Sequence, residues 1–201
     1  MSEERTNNYR DNINQSADNP ESGEKVRVAG LVTQSIEGKT EAFGELYIIF
    51  VEKIYRYLFY HVKSKTLAED ITEETFLKAW RAIKSCRGKE TTFSSWLYRI
   101  AHNQMVDEIR KRQRRPAVEL ENVENISDNS EEVEKSRVQM ELAAVIDRLP
   151  ANQRQVIILK FIDGLDNPEI ARIMGKKEGA IRVLQMRGLT RLRQELNKEE
   201  K

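Results

Sequence analysis

The sequence predicts an all-α fold of two small helical domains joined by a flexible acidic linker, the second domain carrying a helix-turn-helix. Apolar residues recur at intervals of three and four along most of the chain, and no segment alternates apolar and polar residues as a half-buried strand would. An acid-rich stretch also divides the helical segments into two groups. With 201 residues, 39% of them hydrophobic, the chain can fill two modest cores.

Residues 1–26 are rich in Asn, Ser, Asp and Glu and poor in apolar groups, which predicts a disordered tail. Residues 27–115 are read as the first domain. From Ala42 to Val62, the residues Phe43, Leu46, Phe50, Ile54, Tyr57 and Leu58 fall on one helical face. A second helix is expected from Leu67 to Ile83. A third, marked by Leu97, Ile100, Ala101 and Ile109, should run from Ser94 to Arg114 and end before Pro116. Residues 116–137 form the expected linker, because residues 117–135 carry seven acids and one lysine, too little apolar surface and too much charge to pack. In the second domain, residues 138–201, one helix should span Met140 to Leu149 and stop at Pro150. Another should span Asn152 to Ile162 and close at Asp163-Gly164, and two more should follow Asp166 and Gly175.

Net charge identifies no partner, since 34 basic and 33 acidic side chains nearly cancel; their distribution is informative. Residues 172–193 hold seven basic side chains and one acid, a cluster suited to DNA. The same segment reads as a helix-turn-helix. Asp166 caps a helix with Glu169 at its third position, Pro168 sits in the first turn, and Ile170, Ala171 and Met174 form a narrow apolar face. Gly175 permits the sharp turn, and the next helix begins near Lys177. A plain helical hairpin with a solvated basic face would explain the helix pair but not the clustered charge. With Ile181, Leu184 and Leu192 facing inward, Arg182, Val183, Met186 and Arg187 form an outward stripe able to enter a major groove, while Lys176, Lys177 and Arg191 are placed for phosphates.

The first domain carries two opposed charge patterns. Glu69, Asp70, Glu73 and Glu74 form an acidic stripe on the second helix, opposite Phe76, Ala79, Trp80 and Ile83; helix-dipole compensation would account for it equally well. Residues 81–115 instead hold ten basic and three acidic side chains among Phe93, Trp96 and Tyr98, a mixture that can stack on unpaired bases and neutralise phosphates. Core packing is the preferred role for Phe93 and Trp96.

Other chemistries find little support. Cys86 is the single cysteine, and it shows no ligand spacing with His61 or His102, so no metal site and no cofactor are expected. Gly38-Lys39-Thr40 resembles the end of a phosphate-binding loop, but Thr33 stands where that loop needs glycine. The chain is therefore expected not to be an enzyme and to have no small-molecule substrate. No apolar run approaches the roughly 18 residues of a membrane span, and the N-terminus lacks an apolar signal core, so a cytoplasmic protein without membrane insertion is expected.

Taken together, AFGELY at 42–47, AEDITEETFLKAW at 68–80, FSSWLYRIAHNQMVDEIRKRQRR at 93–115, LPANQRQVIILK at 149–160 and the EIARIMG and EGAIRVLQ segments resemble the extracytoplasmic-function group of RNA polymerase sigma factors. The resemblance implies transcription initiation at specific promoters, with core RNA polymerase and promoter DNA as partners and an anti-sigma factor as antagonist. It assigns Glu69, Asp70, Glu73 and Glu74 to the β′ clamp of the polymerase. It assigns the loop bearing Lys89, Glu90 and Thr91, with Arg99, His102 and Asn103, to the opened minus-ten strand, and the second domain to the minus-thirty-five element. Asn167, where the group often has an aromatic, and the weakly basic run Val183, Leu184 and Gln185 depart from the common pattern and bear on which promoter is read. A stand-alone helix-turn-helix regulator is the alternative, although such a protein has no use for a melting surface.

Overall fold

The computed structural model describes residues 20–86, 93–114 and 130–199, and all regular structure among them is helical. The first half comprises α1 (Pro20–Ile36), α2 (Thr40–Val62), α3 (Lys65–Ala82) with a short 3₁₀ turn (Ile83–Cys86), and α4 (Phe93–Arg114). The second comprises α5 (Ser130–Asp147), α6 (Ala151–Ile157) continued by a π-turn (Ile158–Ile162), α7 (Asn167–Met174) and α8 (Glu178–Glu199).

Helix α2 is the axis of the first half. Its residues Leu46, Ile54, Tyr57 and Leu58 are fully buried, and it packs against α1, α3 and α4. Edge-on aromatic pairs lock the layers: Phe43 on Trp80 at 4.9 Å, Tyr47 on Phe76 at 4.8 Å and Phe50 on Phe93 at 5.4 Å between centroids. Helix α2 ends where Lys63 adopts a left-handed conformation (φ 56°) and its amide donates to the Phe59 carbonyl. Ser64 then caps α3 by accepting from the Leu67 amide at 3.3 Å, so the chain reverses in two residues.

Two helices reach into segments expected to lack structure. Helix α1 begins at Pro20, inside the expected tail of residues 1–26. Leu31 buries in the core and Val28 packs against it, while Arg27 pairs with Glu45 at 2.8 Å, and these contacts offset the ordering cost of the polar segment. Residues 1–19 lie outside the described part. Helix α5 likewise starts at Ser130 rather than near Met140, taking in the end of the expected linker. Exposed Arg137 lies between Glu134 and Glu141, at i−3 and i+4, and pairs with both, which supports the helix. The rest of the linker, residues 116–129, lies outside the described residues.

In the second half the helix-turn-helix forms as its residues dictate. The Asp166 carboxylate accepts from the Glu169 amide at 2.7 Å and the Glu169 carboxylate accepts from the Asp166 amide at 3.2 Å, a complete capping box. Gly175 turns the chain at φ 62°, and Ile181 of α8 is fully buried with Leu184 and Leu192 packed behind it. Gly188 lets α8 approach α6 closely: a Cβ at this position would lie 2.9 Å from Ile157 Cγ1.

The halves do not stand apart. One contiguous hydrophobic core includes Tyr57 and Ala101 from the first half and Ile146, Ile158 and Ile170 from the second. Helix α2 touches α5 and the π-turn, and α4 touches α7. No helix among the described residues is long and apolar enough to cross a membrane.

Candidate functional site

Three exposed faces and one buried seam emerge from this packing. On α3, burial of Leu67, Ala68, Ile71, Thr72, Thr75, Phe76 and Ala79 turns Glu69, Asp70, Glu73 and Glu74 to solvent. No cation among the described residues lies within ion-pair distance of these four carboxylates, so the face is an unneutralised anionic stripe available to a basic partner. Trp80, read as lying opposite the acids, meets Phe43 edge-on yet keeps about a third of its surface exposed (36%), and Leu77 lies beside the acids at 42% exposure. The stripe is therefore edged by apolar surface that the sequence pattern did not reveal.

Helix α4 presents Arg99 and Asn103 to solvent, with Arg110, Lys111 and Arg114 following toward its C-terminus. Phe93 is buried and Trp96 is half-buried against it at 5.6 Å, in keeping with the packing role expected for both. Lys89, Glu90 and Thr91 lie outside the described residues. His102, half-buried, differs from its neighbours: its Nδ1 is 2.9 Å from the Tyr57 hydroxyl, which itself accepts from Gln155 Nε2 at 3.3 Å. Burial lowers the His102 pKa from its ordinary value and keeps the ring neutral.

Arg182, Val183, Met186 and Arg187 share one exposed side of α8, with Lys176, Lys177 and Arg191 also exposed. Arg182 is held loosely, 3.9 Å from Glu178 and largely solvated, so its guanidinium is free to choose another anion. Arg172, Lys176 and Lys177 line a shallow open depression at the turn between α7 and α8, where the α8 N-terminus adds its own attraction for phosphate.

Sequence reasoning missed the seam between the halves. Asp163, just after the π-turn, is wholly buried against Arg56, whose Nε is 3.7 Å from Oδ1. Neither carboxylate oxygen completes a hydrogen bond of normal geometry, and the neighbouring Tyr98 hydroxyl is also unsatisfied. Burial pushes the Asp163 carboxyl up to about 7, against the lowering pull of Tyr98, Arg56 and Lys53. Nearby, Lys63 Nζ meets Asp147 Oδ2, and Asp147 also holds Arg154 at 2.6 Å. His61 donates from Nδ1 to the Tyr57 carbonyl at 2.8 Å; burial brings its pKa down to about 4. The only sequence trace of the seam was Asp163-Gly164, legible as a turn.

Comparison with known proteins covers both halves of the chain. Residues 46–115 match the pattern described as Sigma-70 region 2, and residues 139–192 match Sigma-70 region 4. The chain is 37% identical over 177 residues to the ECF RNA polymerase sigma factor BldN of Streptomyces coelicolor, covering 84% of this chain and 66% of BldN. It is 33% identical to the ECF RNA polymerase sigma factor SigW of Bacillus subtilis, covering 82% of this chain and 94% of SigW. Among solved structures, CnrH, determined in complex with the cytosolic domain of CnrY, superposes with a TM-score of 0.69 at 24% identity over 86% of this chain and 98% of the matched one. The sigma factor RpoE of Bartonella quintana, determined with the anti-sigma factor NepR, superposes at 0.60 with 21% identity, covering 79% and 98%. Both share the fold.

Proposed function

The chain belongs to the extracytoplasmic-function group of sigma-70 factors, and from that premise we propose how its faces divide the work of initiation. The α3 stripe of Glu69, Asp70, Glu73 and Glu74 docks on the β′ clamp of core RNA polymerase, its charge steering assembly and the flanking Leu77 and Trp80 adding apolar contact. Arg99, His102 and Asn103 on α4, together with Lys89, Glu90 and Thr91, engage the opened minus-ten strand. The α8 stripe reads the minus-thirty-five major groove through Arg182, Val183, Met186 and Arg187, while Lys176, Lys177 and Arg191 hold phosphates.

The observation that carries this reading is the segregation of charge: Glu69, Asp70, Glu73 and Glu74 are exposed together on α3 with no described cation within ion-pair distance, while exposed basic groups gather toward the end of α4 and on α8. A stand-alone regulator has no need of the first surface and is not favoured. The complex of RpoE with the anti-sigma factor NepR supports an anti-sigma factor as a further partner for this chain. We read the protein as a cytoplasmic binding subunit rather than an enzyme.

The test adds the purified chain to core polymerase and scores promoter-specific transcripts. Replacing Asp70, Glu73 and Glu74 together by lysine should abolish assembly with helicity retained. Unchanged affinity for core polymerase in the triple variant would refute the clamp assignment.

A further inference from the structure

The side that α4 turns to solvent carries one residue at odds with its neighbours. At about 100° per residue, Arg99, Asn103, Asp107, Arg110 and Arg114 fall within an arc of about 80°, and all five are exposed. Leu97, Tyr98, Ala101 and Met105 bury the opposite side. With a rise of about 1.5 Å per residue, the stripe runs about 23 Å from Arg99 to Arg114. Its three arginines draw a phosphate backbone along it, and Asp107 sets a carboxylate in the middle of that track.

Glu108, the next residue, shows what an acid does when it serves the helix. Half-buried, it accepts from Arg112 Nε at 3.3 Å and from Lys111 Nζ at 3.4 Å. Asp107 has Arg110 and Lys111 at i+3 and i+4, the positions from which a cation reaches an acid on a helix. Lys111 is taken by Glu108, and among the described residues no cation lies within ion-pair distance of Asp107.

An unpaired carboxylate offers a nucleic acid only hydrogen-bond acceptance. Phosphates and the carbonyl oxygens of thymine and guanine have nothing to donate to it, whereas the N4 amine of cytosine and the N6 amine of adenine do. Asn103 stands about one turn away, about 6 Å along the axis, which is about two steps of a strand that rises about 3.4 Å per nucleotide.

We propose that Asp107 is a specificity-determining residue of the minus-ten surface, accepting a hydrogen bond from the exocyclic amine of a cytosine or adenine about two steps from the base that Asn103 meets. The inference rests on the reading of α4 given above and supplies that surface with a chemical preference. The arginines of the stripe bring the strand in without choosing its sequence; Asp107 chooses.

The test loads the full chain onto core polymerase and binds it to a pool of pre-opened duplexes, each carrying a promoter that the parent transcribes, randomised across the minus-ten region. The bound strands are then sequenced. The parent should enrich cytosine or adenine at one position, and Asp107→Ala should cut that enrichment about tenfold while leaving selection elsewhere as it was. Asp107→Asn, whose amide both accepts and donates, should admit thymine at the same position. Two base analogues in the opened strand identify the donor: uracil for cytosine exchanges N4 for a carbonyl oxygen, and unsubstituted purine for adenine deletes N6. The analogue that abolishes the difference between parent and Asp107→Ala names the base; if neither does, no amine is read and the inference fails. A carboxylate that only repels phosphates predicts that both variants bind every sequence more tightly with selection unchanged, and that result would overturn the proposal. Unaltered affinity and selection would overturn it equally, because a merely solvated residue has no contact to lose. Asn103→Ala in the same pool tests the premise: if it too leaves minus-ten selection unchanged, the assignment of α4 falls and takes this inference with it. If Asn103→Ala alters selection and Asp107→Ala does not, the inference falls alone.

Discussion

Asp163→Asn isolates the energetics of the seam. The Asp163 side chain is wholly buried, its oxygens lack hydrogen bonds of normal geometry, and Arg56 approaches only to 3.7 Å. Its carboxyl is raised from 3.8 to about 7 by burial, so the folded chain binds this proton more tightly than the unfolded chain does. For an acid raised on folding, the stabilisation is complete below the unfolded value and is lost as pH rises through the folded one. The loss therefore accumulates between about pH 4 and pH 7 and then levels off. Between pH 5.5 and the folded pKa of about 7 lie 1.5 units, equivalent to about 2 kcal/mol. Asparagine keeps the shape and cannot ionise, so its stability relative to the parent should be greater at pH 8 than at pH 5.5 by about 2 kcal/mol. His61, whose pKa burial lowers to about 4, opposes the trend in each protein alone but cancels in the difference; Tyr57, Tyr60 and Tyr98 feel the Asp163 charge, yet burial raises each above its ordinary value of 10.0, so none titrates between the two pH values. Urea unfolding of both chains at the two pH values measures it. A difference independent of pH would show that Asp163 is not buried as an uncompensated carboxyl, and the account of the seam would fail.

Gly188→Ala should destabilise the second half by roughly 1–3 kcal/mol, since its Cβ would meet Ile157 Cγ1 at 2.9 Å; thermal unfolding that matches the parent would mean that Ile157 yields freely. Removing the capping box with Asp166→Ala should cost about 1 kcal/mol, and amide exchange in α7 should report it as a local loss of protection. Arg182→Ala and Arg187→Ala should each cost about 1–3 kcal/mol on the preferred promoter and relax preference at one or two base pairs, whereas Lys176→Ala should weaken binding to all sequences alike. A panel of single-base promoter changes separates these effects, and uniform loss for both arginine variants would reduce α8 to a positioning element.

Local chemistry made much of this structure legible. The α7 start was readable because Asp166, Pro168 and Glu169 are adjacent in sequence and act within one turn. The phase of α8 was readable because burial of Ile181, Leu184 and Leu192 fixes which residues face outward. The missed features depend on distant partners. Nothing beside Lys63 announces Asp147, and Arg56 and Asp163 reveal their relation only once α2 and the π-turn meet. The early starts of α1 and α5 escaped for a related reason: polar composition suggested no core, while Arg27–Glu45 and the Arg137 pairs supply side-chain support that apolar periodicity does not register. Gly188 escaped because a glycine inside a helical pattern reads as a weak point until the facing Ile157 is known.

The π-turn at Ile158–Ile162 gives chain length a meaning of its own. Widening one turn takes up an extra residue, and each residue of an ordinary helix advances the face by about 100°. With that residue in place, Phe161 points outward at 50% exposure and Asp163 points into the seam, its amide donating to the Ile158 carbonyl at 3.1 Å. Deleting one residue here would return the segment to regular pitch, leave a helix of nearly the same composition, and swing the carboxylate away from Arg56. The coupling of the two halves is thus written partly as a residue count, a property that insertions and deletions can alter while every remaining side chain is conserved.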